Sequence, residues 1–475
     1  MQASTRLPLG DFLAEANRWE ELWSSFLDWE WQVGAWDFFE DQVPLWEYVR
    51  VPVFLKLQEL SGFMEPLSHV PRPLIWRLAD PGLLRGMFAT NPYFAPSRPV
   101  VCLGIARRVW REFCWHDPYL DPFLDNLYGS YIYLERPEGG RHVQPTRTKH
   151  VYYTDVLAGL AACYRRTMWG ISGRVERWLL GLESALQARF RLQVPVADLG
   201  RAYLAARRCL RGLYRNLLRR IRPRLGIIVA INPAERAFVE ACRDLGIVTA
   251  EMQHGLIGPY DLTYTTPPGI RQKTYPDYAL LFGPYWRKVM DLPVAQDNAV
   301  EVGFPFFQSL VQQSECPARQ PSVLVLSQPG CGNALAQWAI RLARAAPRAF
   351  RVIFRPHPSE YFPPERQRGL LDHGVEIADV RTSIYDLQAC SSIQVGVFST
   401  ALYEGLAFGL RTYIAPLPGY QYMHPMLKRG WMRLLQDESQ PFTDRSPWPN
   451  YDMQELFLFD GTSAFHDWLR RVLSR

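Results

Sequence analysis

The sequence predicts an α/β protein of two Rossmann-like, doubly wound domains in tandem, and three observations carry that expectation. Short apolar runs alternate with helical segments twice along the chain. A polar, proline-bearing stretch, residues 307–320, separates the two alternations and reads as a linker. At 475 residues, 48% of them hydrophobic, the chain has core enough for two domains of ordinary size.

The expected first domain, 1–306, opens on a tryptophan-rich start: Trp19, Trp23, Trp29, Trp31, Trp36 and Trp46, interleaved with acids. Such rings suit a packed core or the face of a sugar, and packing is the commoner use. From Pro99 the runs "PVVCLGI", "SYIYLERP" and "KHVYYTD" read as strands. Basic amphipathic helices fill 156–224 as an insertion. Then follow strand "LGIIVAI", helix "AERAFVEACRDLG" opened by Asn232 and Pro233, and strands "IVTAEM", "YALLF" and "AVEVGF". The expected second domain, 321–475, repeats the alternation from "SVLVLS" to "RTYIA", and the amphipathic "SAFHDWLRRVLSR" has the pattern to cross back onto the first.

The net charge of +6 is unevenly placed. Between Arg165 and Arg224 fifteen arginines face three acids, so this segment is strongly basic and the remainder acidic. The candidate readings are a polyanion, an anionic membrane met peripherally through residues 201–224, or an acidic partner, against a solvated helical face. Nucleic acid is not expected, since no recognition module accompanies the charge. Eight scattered cysteines without CxxC spacing fit reduced thiols in a cytoplasmic protein. The first residues carry acids where a signal peptide needs an apolar core, and no apolar run is long enough to span a bilayer. The sequence also lacks DxD, GxxxxGK[ST] and HExxH, the residues of divalent-metal glycosyl transfer, P-loop hydrolysis and zinc proteolysis.

In an open parallel sheet, chemistry gathers just beyond the carboxyl ends of the strands. Four such places stand out. After "SVLVLS", Gly330 and Gly332 free the backbone to turn before a helix, a position suited to a phosphate or to a plain turn. After "VIF", the prolines of "RPHP" hold Arg355 and His357 rigid, ready for phosphate oxygens or for a structural ion pair with Glu360. After "IQVGVF", Ser399 and Thr400 lie at free helix amides, where they can hold a phosphate or form a plain N-cap, and Glu404 shares a helix face with Thr400, which suits ribose hydroxyls. Fourth, "TAEMQHGLIGPYD" sets His254 at a strand end before Gly255, where an imidazole of ordinary pKa is a candidate base.

The order "QHG", "RPHP", "STALYEGLAFG" resembles GT-B glycosyltransferases of bacterial surface polysaccharide synthesis: Kdo-type capsule transferases, polysialyltransferases and CDP-glycerol glycerophosphotransferases. The resemblance covers roughly Leu225 to Pro418. It implies two Rossmann-like domains facing a cleft, with the arginine-rich helices as an insertion in the first and the nucleotide donor held by the second. It implies donor-phosphate contacts at His357, Ser399 and Thr400. A first-domain base would be His254, with Glu251 and Asp261 as substitutes; the paired-acid-glycine motif of polysialyltransferases is not evident. The implied activity is metal-independent transfer of a sugar, preferably a CMP-linked acidic one, to a hydroxyl of a surface polysaccharide or lipid-linked glycan. No metal or other cofactor is expected, and the implied location is the cytoplasm, with association with the inner membrane as an option. The alternatives are a CDP-glycerol glycerophosphotransferase, a nucleotide-sugar 2-epimerase, and a non-catalytic GT-B scaffold that binds glycan.

Overall fold

The computed structural model describes residues 9–66, 88–105, 107–127, 129–137, 142–167, 171–314, 319–358, 360–379 and 381–474. Side chains of residues 9–11, 126 and 162–167 are also outside the description, so Arg165 and Arg166 of the basic block are not placed. Two all-parallel sheets organise the chain. The first contains β1 (Val100–Leu103), β2 (Tyr131–Glu135), β3 (Val151–Tyr153), β4 (Leu225–Val229), β5 (Val248–Met252), β6 (Tyr278–Leu281) and β7 (Ala299–Glu301). Its strand order is 7-6-5-4-1-2-3. The second contains β8 (Ser322–Leu326), β9 (Arg351–Arg355), β10 (Glu376–Ile377), β11 (Ile393–Gly396), β12 (Arg411–Ile414) and β13 (Arg433–Leu434), in the order 10-9-8-11-12-13.

Strands buried on both faces read as near-continuous apolar runs because helices cover each side, and β1, β4, β8 and β11 are fully buried. The order of each sheet reverses once, between β1 and β4 and between β8 and β11. These are the switch points where loops diverge and leave a crevice beyond the carboxyl ends. The expected GT-B architecture, two doubly wound domains with a helical insertion in the first, is therefore the one observed.

A second core lies beside the sheets. Helices α1 (Leu9–Gln32) and α2 (Trp46–Leu60) pack against α4 (Gly173–Phe190) of the insertion, whose other members are α3 (Asp155–Thr167) and α5 (Val196–Ile221). Trp19, Trp23, Trp29, Trp36 and Trp46 are all buried there, so five of the six early tryptophans pack and only Trp31 is exposed. This start is not confined to the first domain. Phe12 lies 5.6 Å from Trp338, and the Gln421 amide donates to the Ala16 carbonyl at 2.7 Å.

The basic helix α5 meets acids rather than solvent along one face. Buried Arg207 binds Glu240 through two nitrogens at 2.8 Å and reaches Glu40 at 2.9 Å; Arg208 also pairs with Glu40, and Arg211 with Asp244 at 2.8 Å. Glu240 and Asp244 belong to the end of α6 (Pro233–Arg243) and its cap. Arg219, Arg220, Arg222 and Arg224 remain exposed. Among the described residues no helix is long and apolar enough to cross a membrane.

The stretch expected as a linker begins inside a helix. Helix α7 (Pro305–Gln313) buries Phe306 and Phe307 in the core shared by both sheets, because an aromatic pair at its start outweighs the polar tail; residues 315–318 lie outside the described residues. The final helix, α11 (Gly461–Ser474), does return to the first sheet, with Phe465 4.5 Å from Phe123 and Trp468 5.6 Å from Tyr278.

Candidate active site in the interdomain cleft

The loop after β5 and the start of α10 (Thr400–Ala407) meet across the domain boundary. Thr400 Oγ1 accepts a hydrogen bond from the Leu256 amide at 2.9 Å, and a Cβ on Gly255 would sit 3.0 Å from that oxygen. A residue without a side chain follows His254 because the second domain closes on this backbone. Gln253 fixes the same turn, donating to the Gly255 carbonyl at 2.8 Å and accepting from the Phe282 amide at 2.7 Å.

His254 is thereby presented at the cleft. Its Nδ1 is buried and makes no hydrogen bond to any described residue, and the Tyr119 ring stands edge-on at 6.5 Å. Burial, reinforced by the positive charge of Arg107, pushes its pKa down to about 4, so the ring is neutral at pH 7 and its pKa is not the ordinary imidazole value expected. His357 behaves alike: burial, then Arg107 and Arg355, hold it down at about 4.

Arg107 is the residue that sequence reasoning missed. It is exposed in the loop beyond β1, at the first sheet's switch point, and donates to the Tyr119 hydroxyl at 3.2 Å. Its charge acts on His254, His357 and Glu404 together, so one guanidinium links groups from both domains. The rule that found the other loops applies equally to "VVCLGIARR". What hid it was the insertion: nothing in the sequence shows that β1 pairs with β4.

Glu404 lies at 4% exposure on α10, hydrogen-bonded with Tyr385. Burial raises its pKa to about 7 against the opposing influence of Arg107 and the tyrosine. Ser399 caps α10, its side chain accepting from the Ala401 amide at 3.3 Å. The structure thus brings together His254, His357, Thr400 and Glu404, with Ser399 at the same helix start.

The remaining expected residues are used within the chain. Glu251 is buried on β5, accepting from Tyr264 at 2.9 Å and Tyr275 at 2.6 Å; burial lifts its pKa to about 7 despite both phenols. Asp261 accepts from the Thr263 amide at 2.8 Å in a local turn, and burial raises its pKa. Arg355 spends one nitrogen on the Asp379 carbonyl at 2.8 Å, and burial lowers its pKa. Glu360 pairs with Arg366 and accepts from Ser327 at 2.6 Å instead of pairing with Arg355. The glycine loop meets a strap from the first domain. The Glu65 amide donates to the Gly330 carbonyl at 2.7 Å, and its carboxylate accepts from the Asn333 amide at 2.6 Å at the start of α8 (Gly332–Ala345). The place expected for a phosphate at Gly330 and Gly332 therefore holds a carboxylate of the chain itself, favoured by the same free amides and helix dipole.

No family model matches the chain, and no curated protein matches its sequence. Solved structures are similar to it in fold. A UDP-GlcNAc 2-epimerase of Methanocaldococcus jannaschii is 9% identical, with 78% of this chain and 99% of that chain covered and a TM-score of 0.46. The wall teichoic acid polymerase TagF is 10% identical, with 88% and 92% covered and a TM-score of 0.40. An α,α-trehalose 6-phosphate synthase of Burkholderia multivorans is 14% identical, with 80% and 97% covered and a TM-score of 0.45.

Proposed function

We propose that this protein is a metal-independent glycosyltransferase that moves a sugar, preferably a CMP-linked acidic one, from a nucleotide donor to a hydroxyl of a surface polysaccharide or glycolipid. The observation that carries the reading is the convergence of Arg107, His254, His357 and Glu404 beyond the carboxyl ends of the strands of two Rossmann-like sheets. In transfer, the bond from the anomeric carbon to the phosphate oxygen breaks and a bond to the acceptor oxygen forms. Negative charge leaves with the nucleotide, and the acceptor proton must be taken up.

Arg107 supplies fixed positive charge to the departing phosphate, and a neutral His357 donates an N–H without carrying charge into a desolvated cleft. His254 offers a neutral imidazole for the acceptor proton. A bound phosphate offsets Arg107 and so raises the proton affinity of that imidazole above its ligand-free value. Glu404, protonated up to about pH 7, serves the donor's ribose hydroxyls.

The same carboxyl favours a second reading, a nucleotide-sugar 2-epimerase, because a group titrating near neutrality suits proton removal next to a carbon centre. Thermal shift against CMP, CDP, UDP and GDP identifies the nucleotide. Incubation with nucleotide sugars in excess EDTA then separates the readings: free nucleotide with a glycosylated acceptor supports transfer, and an isomerised donor without acceptor supports epimerisation. Activity lost in EDTA and restored by magnesium or manganese overturns the metal-independent proposal. His254→Ala should preserve nucleotide affinity and lower turnover by about two to four orders of magnitude.

A further inference from the structure

An antiparallel hairpin, Val109–Arg111 with Cys114–His116, projects from the first domain directly after the Arg107 loop. It presents aromatic surface in a way a packed domain does not require: Trp110 is 51% exposed and Phe113, at the tip, 89%. Yet the hairpin is firmly built. Trp115 backs Trp110 at 5.3 Å in an edge-on contact, and its backbone is held on both sides by the neighbouring segment, donating to the Pro145 carbonyl at 2.8 Å and accepting from the Arg147 amide at 2.9 Å. Arg111 ties the hairpin to α7 through Ser309 at 3.3 Å and through Gln313.

Between this hairpin, α7 and helix α9 (Ile384–Cys390) of the second domain runs a groove of about 490 Å³. Its walls carry Trp110, Arg111, Gln313, Ser314, Ser383 and Asp386. The mixture is a flat indole set among planar hydrogen-bonding groups and hydroxyls, with Val109, Leu310, Ala389 and Cys390 adding apolar contact between them. Tyr385 also lines the groove, and it is the residue hydrogen-bonded to Glu404 in the cleft. The groove therefore adjoins the candidate active site and is framed by both domains.

We propose that this groove is the acceptor subsite, holding one to three sugar units of a saccharide chain beside the transfer centre. The inference rests on the transferase reading above. Pyranose rings have one face lined by C–H groups, which packs on the electron-rich indole face, and equatorial hydroxyls that pair with carboxylate, amide and guanidinium at the rim. A volume of about 490 Å³ falls within the usual range of about 300–1,000 Å³ for small-molecule sites.

The test uses the full chain, an array of neutral and acidic oligosaccharides two to six units long, and vesicles of phosphatidylcholine with or without phosphatidylglycerol. Wild type should bind at least one oligosaccharide class. Trp110→Ala and Asp386→Ala should each weaken that binding by roughly tenfold or more while leaving the nucleotide thermal shifts unchanged, since neither residue is among the groups proposed to hold the donor. Trp110→Phe should recover part of the affinity, which a merely structural role in the hairpin does not predict. Absence of oligosaccharide binding, or binding indifferent to Trp110→Ala, overturns the subsite while leaving the nucleotide result, and with it the transferase reading, to stand or fall separately. Binding of vesicles alone, lost in Trp110→Ala and Phe113→Ala, also overturns it and makes the hairpin a membrane contact.

Discussion

At the scale of single residues, the cleft holds groups titrating in opposite senses. Burial lowers His254 and His357 from the ordinary imidazole value to about 4, and raises Glu404 from the ordinary carboxyl value to about 7. Between those limits the unfolded chain protonates its histidines while the folded one does not, so their contribution is present above about pH 6.5 and is lost as pH falls toward 4. For Glu404 the sign reverses. The folded chain holds the proton longer, so its contribution is present below about 4.5 and is lost as pH rises through 7. Replacing Glu404 by Gln removes the ionisation but keeps an acceptor for Tyr385. The melting temperature of Glu404→Gln relative to the parent should therefore rise by a few degrees, roughly, from pH 5 to pH 8. Thermal melts at the two pH values check this; an equal shift at both places Glu404 outside the buried setting described. In activity profiles, an acid limb near pH 4 in the ligand-free enzyme, rather than near 6.5, is the signature of a base held like His254.

At the scale of elements, α5 shows how one arginine-rich helix serves two environments. Arg207→Ala should cost about 3 kcal/mol, because buried Glu240 would lose its two-nitrogen partner and keep only Tyr48 and the longer pairing with Arg211. Arg219→Ala and Arg220→Ala, both on the exposed stretch, should change stability by less than about 0.5 kcal/mol. Denaturant melts distinguish the two classes, and sedimentation with anionic vesicles should be tested on the Arg219 and Arg220 side alone, since reversing Arg207 would unfold the helix it anchors. The same helix explains what sequence reading reached and what it did not. Strand runs such as "LGIIVAI" and "SIQVGVF" were legible because burial on both faces leaves an unbroken apolar run, and the cap of α6 was legible from Asn232 and Pro233. His254, His357, Thr400 and Glu404 were legible because strand ends carry chemistry in open sheets. Charge placement was not, since pairing of Arg207 with Glu40 and Glu240 joins distant segments and leaves no local pattern. Nor was Glu65, whose seat at the start of α8 depends on a fold-back that no periodicity records.

At the scale of the whole molecule, the first sheet is completed by a helix from the far end of the chain. Helix α11 buries Phe465, Trp468, Leu469 and Val472. At about 1.5–3 kcal/mol per large apolar side chain, that burial amounts to roughly 6–12 kcal/mol, comparable with the net stability of a typical domain. Deleting 461–474 should consequently yield insoluble protein or one that binds hydrophobic dye, rather than a soluble second domain lacking a tail; size-exclusion chromatography of the deletion checks it. The strand pairing has a consequence in time as well. Val100 of β1 lies beside Leu225 of β4, so the sheet's central ladder waits while β2, β3 and the helical insertion are synthesised, roughly 6 to 25 seconds at 5–20 residues per second. Until β4 is made, β1 can pair only with β2, and β2 with β3 on its other side. The second domain, whose strands follow within short crossovers, can close first although it is made later. A nascent chain halted near residue 306 should remain protease-sensitive across β6 and β7, and protection there should appear only once α11 has left the ribosome.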